Sequence, residues 1–239
     1  MAQQRIVFVH GAGRFGAAAW PGQHALARSY DCLFLRRAGY GLQVPPSPTD
    51  YAADTEAVLA ALGSGGGHVV AHAEGAVSAM MAAVSDPARV HSLILCEPAV
   101  FSLTRELPAT AARRALLDPL FQAAAELTDE EYGREYARLV FSAESAPEPG
   151  NDPHAAARQR LQSPPWDAPL DIVPGVPTLV LTGEWEPLYE EVAGFLASTG
   201  AEHRPVGGNH RPQDTSAGQE AVAAFLARTG AAAMAGDHA

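Results

Sequence analysis

Short apolar runs of strand length recur along the chain, separated by stretches whose apolar residues fall at helical spacing. This alternation limits the possible folds more than any other feature. The runs are "RIVFVH" (5–10), "DCLFLR" (31–36), "HVVAH" (68–72), "HSLILCE" (91–97), "PTLVLTG" (177–183) and a weaker "AEHRPVGG" (201–208). Between them, "YAADTEAVLAALG", "GAVSAMMAAVSDP", "LYEEVAGFLASTG" and "GQEAVAAFLARTG" carry the period of amphipathic helices. The last two close on Thr-Gly, a helix-stop signal. Nearly continuous apolar strands alternating with helices predict an α/β fold: a mostly parallel sheet with helices on both faces. In such sheets ligands bind beyond the carboxyl ends of the strands, so chemistry is expected in the loops that follow the apolar runs.

One segment breaks the rhythm. Residues 101–168 hold the helical stretches "ATAARRALLDPLFQAAAEL" and "DEEYGREYARLVF" but no strand, and they return through the proline-rich "SAESAPEPGNDP" and "SPPWDAPLDIVPGVP". The expected organisation is a single core domain from residues 1–100 and 169–230, a small helical lid at 101–168 and a flexible tail at 231–239. The lid carries Leu116, Leu117, Leu120, Phe121, Tyr132, Tyr136, Leu139, Phe141 and Trp166. Most of these are expected to pack the lid helices together, leaving apolar surface to line a pocket for a hydrophobic ligand.

Composition excludes several classes of function. The formal net charge of -11 over 239 residues argues against nucleic-acid binding. The Arg36-Arg37 and Arg113-Arg114 pairs read as ordinary solvated faces. No apolar run approaches the roughly 18 residues of a membrane span, and the chain enters its first strand too early for a signal peptide. Cys32 and Cys96 lie in apolar runs and read as buried free thiols. Together these features predict a cytoplasmic protein.

Four sites converge on one edge of the predicted sheet. In "HVVAHAEGAVSAM" (68–80) a strand, a tight turn and a helix follow one another, the layout of a nucleophile elbow, whose central residue should be Ser, Cys or Asp. That residue is Ala73. Its neighbours Ala71, Gly75 and Ala76 are as small as the turn demands. A non-glycine residue held there at positive φ costs on the order of 1–3 kcal/mol, so the turn reads as an elbow intact except for its oxygen. The second site, "FVHGAGRFG", is a glycine-rich turn whose backbone N–H groups could meet a developing negative charge. Its "GAGRFG" also fits a dinucleotide-binding pattern, but the next strand ends in "RRAGYG" without the acidic residue that binds a ribose. His10, Gly11 and Gly13 of this turn, with Trp166 of the lid, are the residues expected to line the substrate site. The third site is "VGGNHRPQD" (206–214), where His210 stands in the place of a general base. The fourth is the acid, for which Glu97 in "LILCEPAV" and Glu186 in "LTGEWEPLY" both qualify, Glu184 being more distant. The bland reading of Glu186 is capping or charge support for the helix that follows it. No metal-ligand spacing is present among the histidines.

On the residues "HGAG" (10–13), "AHAEGA" (71–76), the helical stretch after Glu97 and "GGNHRPQ" (207–213), the chain resembles the α/β-hydrolase superfamily along nearly its whole length. That resemblance implies an oxyanion hole from the backbone N–H groups of Ala12 and Glu74. Most members take their acid from the loop that holds Glu186. A subset, including lactonases similar to zearalenone hydrolase, takes a Glu from the end of the strand after the elbow, as "CEP" (96–98) suggests for Glu97. It implies hydrolysis of a small hydrophobic ester or lactone by a Ser-His-Glu mechanism, with no cofactor, no nucleic acid and no membrane. Ala73 departs from the pattern. Three readings follow: a form whose nucleophile serine has been replaced, a member that uses His210 as a general base without a nucleophile, and a non-catalytic binder of a small apolar ligand. The intact base, acid and oxyanion turn favour the first.

Overall fold

The computed structural model describes residues 3–140 and 154–236 of the chain. Its strands are β1 (Arg5–Val9), β2 (Asp31–Phe34), β3 (Gly67–His72), β4 (Val90–Cys96), β5 (Thr178–Thr182) and β6 (Glu202–Pro205). They form one sheet in the order β2-β1-β3-β4-β5-β6, and every pairing is parallel. The chain leaves β1 toward one edge and returns on its other side at β3, so the strand order reverses between these two neighbours. A crevice opens at such a reversal, outside the carboxyl ends of the strands.

Side chains alternate across the sheet, as the strand period requires. Val7, Val9, Val69, Leu93, Leu95 and Val180 face a core completed by α1 (Tyr51–Leu62), α2 (Gly75–Ser85) and α6 (Pro187–Ser198). Ile6, Phe8, Val70, Ile94, Leu179 and Leu181 face the opposite core with Trp20 and with Val222, Phe225 and Leu226 of α7 (Ser216–Gly236). Both faces are therefore covered, which is why the strands read as continuous apolar runs. Cys96 is buried, Cys32 is half-buried, and both are free thiols.

Between β4 and β5 lie α3 (Pro108–Gln122), α4 (Asp129–Val140) and α5 (Ala155–Arg160). The first turn of α3 is tied to the core domain, because Ala109 and Thr110 donate their backbone N–H groups to Glu191 of α6 at 2.8 Å each. Trp166 is buried against Phe121, with ring centroids 5.4 Å apart. Leu117, Leu120 and Tyr132 are also buried, whereas Leu116 is exposed. Phe141 and "SAESAPEPGNDP" lie outside the described residues.

Two expectations need correction. The Thr229-Gly230 pair does not stop α7, which continues to Gly236, so residues 231–236 expected in a flexible tail are helical. A Cβ at Gly230 would meet only the flexible end of the Gln4 side chain, whose amide donates to the Gly230 carbonyl. The second correction is Arg37, which is not on a solvated face. It is 4% exposed and pairs with the equally buried Asp54 of α1 at 2.7 Å, while Asp54 also accepts from the Ala38 N–H at 3.1 Å. Removing one partner strands the other charge in the interior. Asp54→Ala is accordingly expected to lower stability by about 3–5 kcal/mol, read as a fall in the urea midpoint at unchanged slope. A loss below about 1 kcal/mol would mean that the Arg37 charge finds water.

Candidate active site

The loops after β1, β3, β4, β5 and β6 meet at the carboxyl edge of the sheet. Ala73 heads the turn after β3 with φ at +49°, a conformation that costs an alanine free energy and that the surroundings impose. Its N–H donates to the Cys96 carbonyl at 3.1 Å, and its own carbonyl accepts from Ala76 at 3.0 Å and Ala99 at 3.1 Å. The turn is pressed against the end of β1. A Cβ on Gly75 would lie 2.6 Å from the carbonyl oxygens of Val9 and His10, so this position admits only glycine.

Glu97 ends β4 with φ at +47°, a second strained non-glycine residue. Its carboxylate is fully buried and accepts three hydrogen bonds: from the Gly183 N–H at 2.6 Å, the Trp185 indole at 2.9 Å and Nδ1 of His210 at 3.4 Å. With Nδ1–H directed at Glu97, Nε2 of His210 carries the lone pair. The carboxylate thus fixes the tautomer that a general base requires. Glu186 is not brought to His210; it accepts from Arg113 at 2.9 Å. Glu186 stands at the N-cap position of α6, but its side chain makes no capping hydrogen bond there.

His72, one residue before Ala73, holds the other side of His210. Its Nε2–H donates to the His210 carbonyl at 2.7 Å, and the two rings are 4.7 Å apart. Burial, then the neighbouring His210 and Arg211, push its pKa well below the ordinary value, so it stays neutral. His10 is buried with both ring nitrogens engaged: Nδ1 donates to the Gly11 carbonyl at 2.8 Å and Nε2 accepts from the Arg37 N–H at 3.1 Å. Burial and the Arg37 charge push its pKa down to about 3. Both nitrogens being occupied, His10 supports the turn from beneath. Gly11 is buried under Ala73, Ala12 is half-buried and Gly13 is exposed. The N–H of Ala12 donates to Oε2 of Glu74 at 3.1 Å.

These buried neutral histidines make stability depend on pH. His68, buried beside His91, is likewise pushed down, to about 4. As pH falls below about 6.5, the unfolded chain takes up protons that folded His10, His68 and His72 refuse. Stability is therefore full above that pH and declines below it, by up to about 1.4 kcal/mol per pH unit for each histidine. For His68 and His10 the decline runs to their folded values of about 4 and 3. Urea midpoints between pH 8 and 4 should stay level to about 6.5 and then fall; level midpoints down to pH 4 would contradict this.

Among the described residues, no group of three or more His, Cys, Asp and Glu side chains is placed to hold a metal ion. No helix among them is long and apolar enough to cross a membrane.

With this geometry in view, a family model described as the alpha/beta hydrolase family matches residues 6–225. Comparison with curated proteins gives no match. Among solved structures the chain is similar to an epoxide hydrolase from Bacillus megaterium, at 16% identity and a TM-score of 0.62, covering 95% of this chain and 93% of that one. It is also similar to a thermophilic esterase from Thermogutta terrifontis, at 18% identity and a TM-score of 0.59, covering 95% and 91%. A third relative is the 2-hydroxy-6-oxo-6-phenylhexa-2,4-dienoate hydrolase of Rhodococcus sp. strain RHA1, at 19% identity and a TM-score of 0.59, covering 95% and 90%. At these identities the likeness establishes the shared fold.

Proposed function

The chain belongs to the alpha/beta hydrolase family, and from that premise we propose that its site is built for acyl transfer from a small hydrophobic ester or lactone, with position 73 as the nucleophile position. The observation that carries this reading is the His210–Glu97 pair at 3.4 Å, with the His210 carbonyl held by His72, one residue before an alanine at φ +49°. A strained elbow and an oriented base both serve an attacking oxygen that Ala73 lacks.

With a serine at position 73, His210 Nε2 would take its proton as the oxygen attacked the carbonyl carbon. The N–H groups of Ala12 and Glu74 would receive the oxyanion, and His210 would return the proton to the leaving alcohol. Water would then release the acyl group by the same steps in reverse. As written, the chain retains the base and the binding cleft but forms no acyl-enzyme, so substrate is held and turned over only through a water activated by His210. The test is a panel of short acyl esters, aryl esters and lactones offered to the parent chain and to Ala73→Ser. The best substrate of the variant names the class; equal and negligible turnover by both proteins counts against the reading.

One observation favours a second reading, a ligand-binding member with no covalent step. The Glu74 carboxylate already accepts the Ala12 N–H, so a substrate oxygen has to displace it before it can use that donor.

A further inference from the structure

The loop after β5 gives His210 no acid, since Glu186 is held by Arg113. It supplies donors to the acid instead. The Gly183 N–H binds Oε1 of Glu97 at 2.6 Å, and the Trp185 indole N–H binds Oε2 at 2.9 Å. Between the two donors lies Glu184, exposed and at φ +57°, a third non-glycine residue at positive φ beside Ala73 and Glu97. Backbone strain thus sits where the chain turns both donors onto one carboxylate. The same loop is pressed against the loop of the base, because a Cβ on Gly183 would collide with the Asn209 backbone. The backbone of Glu97 is fixed as well, its N–H donating to the Leu181 carbonyl at 2.9 Å.

His210 reaches the same oxygen as Trp185, and less closely: Nδ1 lies 3.4 Å from Oε2. A charge-assisted N–H···O⁻ bond closes to about 2.7–2.9 Å, the length that the indole has taken. Charge that Oε2 spends on the indole is not offered to a protonated imidazole. The other groups around the ring leave Glu97 to decide how firmly His210 holds a proton. His72, facing it from the end of β3, is kept neutral by burial and by the neighbouring His210 and Arg211. Tyr189 of α6, with its ring 5.1 Å away, is held protonated by burial and by the Glu74 and Glu97 charges. Arg211 is paired with Asp214 at 2.6 Å, and Glu74 accepts the Ala12 N–H.

We propose that Trp185 is a positioning residue that takes Oε2 of Glu97 in competition with Nδ1 of His210, and so keeps the imidazole loosely paired, unprotonated and available as a base. This rests on His210 being the base of the chemistry proposed above, and not on an oxygen at position 73.

The test follows the His210 Cε1–H resonance against pH in three proteins. They are the unaltered chain, Trp185→Phe, and a chain with 3-benzothienylalanine in place of Trp185, which keeps the bicyclic ring and lacks the N–H. With the indole N–H gone, Oε2 serves His210 alone, and the titration midpoint should rise by about one pH unit, a roughly tenfold firmer hold on the proton. Tyr189→Phe keeps a ring against His210 and leaves the carboxylate untouched, so its midpoint should stay with the parent. In the Ala73→Ser background, Trp185→Phe should move the acid limb of kcat/KM up by the same amount, with kcat on the alkaline plateau within about threefold. A midpoint that stays or falls when the N–H is removed would overturn the proposal. So would an equal rise in Tyr189→Phe, since packing and not the N–H would then set it. If Trp185→Phe loses cooperative unfolding, the benzothienylalanine chain decides. Failure of Ala73→Ser to acylate, with the midpoint shift intact, would remove only the hydrolytic reading.

Discussion

Ala73→Ser is expected to raise ester turnover by about 10⁴- to 10⁶-fold over the parent chain, the range lost when a serine hydrolase loses its nucleophile. The expectation rests on what needs no rebuilding. The backbone at position 73 is already at φ +49°, pinned by hydrogen bonds to Cys96, Ala76 and Ala99. Serine adds only an oxygen to the alanine methyl, so the strain is carried by the parent and is not a new cost. His210 already has the tautomer that accepts a serine proton. Steady-state rates on an aryl ester, with active-site titration to count competent sites, check the prediction. A gain below tenfold would mean that the Nε2 lone pair does not reach position 73, or that Glu74 keeps the substrate oxygen from the Ala12 N–H.

In that serine background, Glu97→Gln is expected to lower kcat by about 10³- to 10⁴-fold, whereas Glu186→Gln should change it less than about threefold. Glu97 accepts from three donors at once. An amide in its place keeps the volume but turns an NH₂ group toward a donor and leaves an N–H in the interior without an acceptor. His210 then loses both the tautomer and the negative charge that stabilises its protonated form. Glu186 is engaged by Arg113 instead. Parallel kcat measurements decide between the two acids, and a larger loss at Glu186 would reverse the assignment.

The sheet was legible from sequence because both its faces are covered. Runs such as "RIVFVH" and "HSLILCE" hold four consecutive apolar residues, and each lies within a residue or two of an observed strand. The elbow was legible for a related reason. Gly75, two residues after position 73, records the collision that a Cβ there would have with the carbonyls of Val9 and His10. Helix termination was misread at Gly230, since a glycine stops a helix only where it leaves the helical conformation, and Gly230 stays out of the left-handed region while α7 runs on.

Long-range polar contacts were not legible. The pairing of Arg37 with Asp54, the capture of Glu186 by Arg113 and the capping of α3 by Glu191 join residues 17, 73 and 81–82 positions apart. No local spacing encodes such partners. Glu97 carried one usable signal, a carboxylate at the end of a buried strand, which requires partners. The hold of His72 on the His210 carbonyl had no comparable signal. A histidine in an apolar strand reads as core until the loop that crosses it is known.

The most direct test of the central claim, that position 73 is the nucleophile position served by His210, is an intact-mass measurement. Ala73→Ser, the parent chain and Ala73→Ser/His210→Ala are each incubated with a fluorophosphonate and then digested to locate any adduct. One phosphonyl group on the peptide containing position 73, in the single variant alone, is the predicted result. No adduct in the single variant, or an adduct formed equally fast without His210, would contradict the account.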